Sequence, residues 1–192
     1  MVAAFTNIIG LYFLATLLLN DFILFIPGLL GLGACLIAIL TTLYYTGLGY
    51  TPIKQMAEYS QRCPAINVMK GLSLELQSPI LPIISVLAAI VLSFTLSGQS
   101  LYAVIITNIG TDLMIGFIMY SDAFGPITDN AAGISEMASI SVKTGTTLGY
   151  LDAVGNTMKA STKAYAMISE TVTSFVISAT YFIEANISNI TE

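Results

Sequence analysis

The sequence predicts an all-α membrane protein, about five transmembrane helices that form part of a larger helical bundle. Three observations carry that expectation. Of 192 residues, 56% are hydrophobic and only 9% are charged, where a soluble domain carries roughly a quarter. The apolar residues fall in runs long enough to cross a bilayer as helices. The breaks between runs hold most of the charged residues, and the basic ones gather in some breaks and are missing from others.

Each element follows from its residues. Residues 3–19 make a first, slightly short span, and the lack of a basic leader argues against a cleaved signal. Asn20-Asp21 break the run. Residues 22–46 make the second span, where Gly28, Gly31 and Gly33 invite close approach of a neighbouring helix. Tyr44 and Tyr45 stand where an interfacial aromatic belt is expected. Residues 47–79 are polar, carry Lys54, Arg62 and Lys70, and read as one or two short helices punctuated by Pro52 and Pro64. Residues 80–97 make the third span, with Pro79 and Pro82 at its start. Gly98-Gln99-Ser100 is a tight turn. Residues 101–122 make the fourth span, continued by a polar piece to Asp129. Residues 133–149 read as a Gly/Ser/Thr loop with Lys143. Residues 150–183 read as one long helix whose second half, 160–183, crosses the membrane. The tail from Glu184 is polar and acidic. No repeat or linker divides the chain, so 1–192 reads as a single transmembrane domain.

Five spans with a cytoplasmic N-terminus put residues 47–79 and 121–150 on the cytoplasmic side. All six Lys/Arg then lie on that side or in the helix rising from it, the positive-inside pattern. Asn186 and Asn189 open two glycosylation sequons on the far side, a pattern that recurs by chance. The net charge of −5 argues against nucleic acid as a partner. The chain has no histidine, which excludes His-based triads and His-metal sites. Cys35 and Cys63 fit no metal or redox pattern and read as free thiols.

Polar groups crowd two pieces of this apolar chain. Asp122 and Asp129 are seven residues apart, on one face two turns apart if one helix carries both. Asp152, Asn156, Lys159 and Lys163 fall at i, i+4, i+7 and i+11, one stripe of one helix. Side by side, the two pieces would bring carboxylates and an amide together at one end of a bundle, chemistry suited to Mg²⁺ and phosphate. The plainer alternatives stay open: helix-capping carboxylates for Asp122 and Asp129, and snorkelling for Lys159 and Lys163. Asp112 and Glu170 lie inside spans, where a charge is costly and a proton carrier is the default reading.

The run from Asp122 to Met137, Asp-x-Phe-Gly-Pro-Ile-x-Asp-Asn-Ala-x-Gly-Ile-x-Glu-Met, resembles a signature of the membrane-integral, ion-pumping inorganic pyrophosphatases. So does Leu151-Asp-Ala-x-Gly-Asn-Thr157. Tyr44-Tyr45-Thr46, Tyr50-x-Pro52, Ser60-Gln61, Ala65-x-Asn67 and Gly71-Leu72 follow the same order and spacing, so the likeness runs over roughly 22–182. The resemblance implies a large helical bundle working as a homodimer, in which Mg²⁺-pyrophosphate is hydrolysed and H⁺ is pumped. It implies that Asp129 and Asn156 bind metal and substrate and that Asp122 lies at the funnel rim. Thr162, Lys163 and Asp152 stand as supporting positions. Lys159 matches a position where lysine replaces a potassium ion, so no K⁺ requirement is expected. The chemistry is consistent: oxygen ligands hold Mg²⁺, the metal screens the pyrophosphate, and an ammonium serves as a fixed point charge.

Departures accompany the resemblance. Leu43 stands for an acidic residue, Met158 for a threonine, and Ser139 to Leu148 for a Pro- and charge-rich loop. Asp112 and Glu170 replace apolar or small residues. Family members are several times longer, and the acidic and lysine clusters of their other helices are not in this sequence. The chain therefore reads as an incomplete central segment of a proton-pumping pyrophosphatase. It would work as a homo-oligomer or with the missing pyrophosphatase helices, in contact with membrane lipids. The alternatives are a non-enzymatic membrane scaffold or assembly partner, a degenerate fragment, or a small carrier using Asp112 and Glu170.

Overall fold

The computed structural model describes residues 2–138 and 141–185, and every regular element among them is helical. The helices are α1 (Val2–Phe13), α2 (Phe25–Thr46), α3 (Thr51–Ser60), α4 (Pro64–Gln77), α5 (Ile80–Leu96), α6 (Leu101–Asp112), α7 (Ile115–Asp122), α8 (Phe124–Met137) and α9 (Val142–Glu184). A wide π turn, Leu14–Leu18, extends α1, and a tight 3-10 turn, Phe22–Leu24, leads into α2. Four helical runs are long and apolar enough to cross a membrane: Phe22–Ser60, Pro64–Leu96, Leu101–Met137 and Lys143–Glu184. The run Val2–Leu18 is apolar but shorter. The protein is a multi-pass membrane protein of the all-α class. The two sequons lie outside the described residues.

The breaks have local causes. All six prolines sit in the first turn of a helix or just before it: Pro27 in α2, Pro52 in α3, Pro64 in α4, Pro79 and Pro82 at α5, Pro126 in α8. There the missing N–H costs nothing, because the first turn has no acceptor for it. Asn20 takes φ 50° and closes the first run, and Asp21 accepts from the Ile23 N–H at 2.9 Å to start the next. Gly98 and Gln99, at φ 70° and 65°, turn α5 into α6.

Two expectations are corrected. Asp122 and Asp129 do not share one helix, because α7 ends at Asp122 and α8 starts at Phe124. Pro126 is the reason: it cannot donate to the Asp122 carbonyl four residues back, and its ring crowds that carbonyl. Most of the stretch 133–149, expected as a loop, is helical, since α8 continues to Met137 and α9 begins at Val142. A Cβ on Gly145 would meet Ser135 Oγ at 3.8 Å, so the start of α9 packs against the end of α8 at this point, while Gly133 and Gly149 meet nothing within 4 Å.

Two compact units divide the chain. The first takes Met1–Leu36, Ile83–Met114 and Ala166–Glu192, and the second Ile37–Pro82 and Ile115–Tyr165. In the first, α2 and α6 meet through glycine. A Cβ on Gly110 would lie 2.1 Å from the Gly28 carbonyl oxygen, and one on Gly31 would lie 2.0 Å from that of Thr107. Gly33, expected to do the same, faces open space. Leu24, Ala103 and Ile106 form a buried cluster against which Leu19 packs. Buried Thr107 donates to Ser93 at 2.6 Å, and Asn7 donates to the Leu113 carbonyl, at the α6–α7 break, at 2.7 Å.

The second unit holds the α3–α4 hairpin and the antiparallel pair α8 and the first half of α9. Gly155 lies against Gly125 and Thr128, and Gly145 against Ser135. Ten residues backward on one helix thus correspond to ten forward on the other. Thr157 ties α9 to the end of α2, donating to the Thr46 carbonyl at 3.2 Å.

Candidate functional site

The polar stripe predicted on α9 exists, and α8 supplies its partner. A Cβ on Gly155 would stand 3.0 Å from the Gly125 Cα and 2.4 Å from Thr128 Oγ1, so the backbones approach with nothing between them. Thr128 and Thr157 are buried beside this crossing. The Thr128 hydroxyl spends its proton on its own helix, toward the Phe124 and Gly125 carbonyls. One turn after Gly155 comes Lys159, whose stem lies over Gly125, 2.7 Å at Cε from where a Cβ would be.

That close approach sets the charge geometry. Lys159 Nζ donates to Asp129 Oδ2 at 3.0 Å and to Asn156 Oδ1 at 3.1 Å. Asn156 Nδ2 in turn donates to Asp152 Oδ2 at 3.2 Å. The amide orientation is fixed from both sides, by an ammonium on its oxygen and a carboxylate on its nitrogen. The other Asp152 oxygen, Oδ1, is buried and accepts no hydrogen bond from the described residues, as is Asn67 Oδ1 on α4. The Lys159 and Asp129 side chains are 30% and 60% exposed. An ion pair so open to solvent contributes at most about 1 kcal/mol, so stability does not explain it.

Other expected positions stand apart. Asp122 ends α7 and makes no hydrogen bond to the four linked side chains. The Thr162 hydroxyl bonds back to Met158 in its own helix at 3.2 Å. Lys163 is exposed. Asp112 accepts from Ser169 Oγ at 2.6 Å, and one turn away Thr173 donates to Asn108 Oδ1 at 3.0 Å. These two rungs clamp α6 to α9 within the first unit. Glu170 is exposed, one residue beyond the clamp.

The model of the family described as inorganic H⁺ pyrophosphatase matches residues 1–191. This chain belongs to that family. A "K(+)-insensitive pyrophosphate-energized proton pump" of Methanosarcina mazei is 32% identical over 181 residues, 91% of this chain and 27% of the relative. A second such pump, from Moorella thermoacetica, is 35% identical over 167 residues, covering 84% and 24%. A "Putative K(+)-stimulated pyrophosphate-energized sodium pump" of Bacteroides thetaiotaomicron is 33% identical over 155 residues, covering 77% and 21%. The chain spans about a quarter of the length of these curated relatives.

The pyrophosphatase family implies Mg²⁺, and the donor set bears on its fit. Asp129, Asp152 and Asn156 offer the hard oxygen atoms that Mg²⁺ prefers. Mg²⁺ at phosphates takes one or two carboxylates and completes its octahedron with water and phosphate oxygens, while Asp129 is here engaged by an ammonium. Among the described residues no three Asp, Glu, Cys or His side chains gather as a metal site would need. Asp129, Asp152 and Asn156 have the donor chemistry for a share in such a site.

Sequence reasoning missed the glycine crossing that places Lys159. Its signal was present: Gly125 and Gly155 sit inside the two family-like runs. Only their pairing was hidden. The same holds for Thr46, quoted in a motif and revealed as the acceptor for Thr157.

Proposed function

We propose that this chain is part of a pyrophosphate-energised proton pump and that its α8–α9 hairpin contributes one wall of the Mg²⁺-pyrophosphate site. The observation that carries this is Lys159, held between Asp129 and Asn156 at 3.0 and 3.1 Å. A fixed ammonium between a carboxylate and an amide oxygen occupies the place a mobile K⁺ would take, which fits a pump without a K⁺ requirement. Asp129 and Asn156 are then the binding residues for metal and pyrophosphate, with Asp122 at the rim and Asp152, Thr162 and Lys163 in support. When bound, Mg²⁺ would screen the phosphate charge. Asp129 and Asn156 would aim Lys159 at the anion, while Gly125 and Gly155 keep the helices close enough for that reach. The remaining ligands come from other pyrophosphatase helices or another copy of the chain. The N-terminus, residues 47–79 and residues 121–150 face the cytoplasm, and five spans cross the membrane.

The test is pyrophosphate hydrolysis in proteoliposomes, with Mg²⁺ and without K⁺, with a pH-sensitive dye inside. Wild type and Asp129→Ala are compared, each alone and co-reconstituted with the remaining helices of a relative. Hydrolysis and acidification that appear only with wild type support the pump. Activity indifferent to Asp129→Ala overturns this assignment. A second reading, a non-enzymatic scaffold or assembly partner, is favoured by the absence of any three converging acidic side chains among the described residues. It requires assembly with the other helices to survive Asp129→Ala while no arm hydrolyses pyrophosphate.

A further inference from the structure

Arg62 and Lys70 converge on one aromatic ring. The guanidinium carbon of Arg62 lies 5.1 Å from the Tyr59 ring centroid, and Lys70 Nζ lies 5.5 Å from it. Tyr59 is in the last turn of α3, Arg62 in the corner and Lys70 in the middle of α4, so the hairpin itself brings the two cations together. The ring attracts each of them weakly and does nothing to offset their mutual repulsion. Neither is paired with a carboxylate among the described residues, where the ion pair is Lys159–Asp129. Two like charges gathered on one ring without a carboxylate paired to either suit an anion with several charged oxygens, as a phosphate has.

The neighbouring surface narrows the choice. Lys70, Ser73 and Gln77 recur at i, i+3 and i+7, one face of α4, and Gln77 Nε2 donates to Ser73 Oγ at 3.0 Å. Beside that face Met69, Leu72 and Leu76 are 73%, 60% and 66% exposed. With Ser73, Gln77 and Ile80 they line a groove of about 480 Å³. The two cations stand at the corner and at the start of this stretch, and from Met69 to Ile80 an apolar groove edged by a hydroxyl and an amide runs on along α4. A phospholipid joins the same two parts, a charged phosphate and an acyl chain.

We propose that Arg62, Lys70 and Tyr59 hold the phosphate of an anionic phospholipid whose acyl chain lies along Met69, Leu72 and Leu76. A free phosphate shares the headgroup chemistry but leaves the apolar groove unused, and the experiment separates the two. The full chain in detergent is offered equal phosphatidylglycerol and phosphatidylcholine, and retained lipid is counted by native mass spectrometry. Wild type is expected to favour phosphatidylglycerol, by about fivefold for each cation in contact. Arg62→Gln with Lys70→Gln brings the two lipids to parity, and Arg62→Lys with Lys70→Arg keeps the preference. Leu72→Asn with Leu76→Asn lowers retention of both lipids. Equal retention by wild type overturns the proposal without any variant. So does displacement of phosphatidylglycerol by millimolar inorganic phosphate combined with indifference to the leucine changes, which marks a free-phosphate site.

Discussion

Gly155 of α9 stands so close to Gly125 of α8 that a Cβ added to it would meet the Gly125 Cα at 3.0 Å and the buried Thr128 hydroxyl at 2.4 Å. The first consequence is for stability. Gly155→Ala is expected to lower it by about 1–3 kcal/mol, the usual cost of overpacking, despite alanine's better helix propensity. Gly33→Ala, which meets nothing within 4 Å, is expected to be neutral or stabilising by up to about 1 kcal/mol. Thermal unfolding in detergent compares the two.

Lys159 separates function from stability. Because the Lys159–Asp129 pair is largely exposed, Lys159→Ala is expected to change stability by less than about 1 kcal/mol. In the reconstituted pump, hydrolysis without K⁺ is expected to fall by about tenfold, equivalent to ~1.4 kcal/mol of lost charge stabilisation, and to recover when K⁺ is added. A K⁺ titration of the variant reads this directly.

The α6–α9 clamp gives a third test. Ser169→Ala removes the donor 2.6 Å from the Asp112 carboxylate, and is expected to destabilise by about 0.6–1.7 kcal/mol, the range for hydrogen bonds between membrane helices. Asp112→Asn keeps an oxygen to accept that bond and is expected to cost less. Unfolding midpoints of the two variants against wild type decide the order. A carrier role for Asp112 predicts instead that Asp112→Asn abolishes proton flux that needs no pyrophosphate.

Thiol access tests the topology. Cys63 is exposed at the α3–α4 corner and Cys35 is buried. A membrane-impermeant maleimide is expected to label Cys63 from the cytoplasmic face, and Cys35 only after denaturation. Labelling of Cys63 from the opposite face alone would invert the proposed orientation.

Much of this was legible because single residues fix single outcomes. Asn20 and Asp21 broke the first run as read, the one through a left-handed φ and the other through an accepted backbone N–H. The i, i+4, i+7 stripe Asp152, Asn156, Lys159 became a chain of hydrogen bonds because the helix period is fixed. What failed needed a partner to decide it. Residues 133–149 looked like a loop because glycine and serine carry no signal of the helix they will face. Gly33 looked like Gly28 and Gly31, yet only those two lie against α6 or α1. Pro126 was in plain view, and its effect on the Asp122 carbonyl was predictable from its ring alone.

The paired spacings on α8 and α9 act as a shared ruler. Gly125 to Ser135 and Gly145 to Gly155 each span ten residues, and the contacts at both ends of the ruler exist only while the lengths agree. A residue inserted in one arm would swing its far end by about 100° and part either the glycine crossing or the Ser135 contact. A second insertion in the opposite arm restores the axial match but leaves both far ends turned away from each other. A single-residue length change in this hairpin is therefore not repaired by a matching one across from it, and only changes near whole helical turns in both arms keep the two faces together.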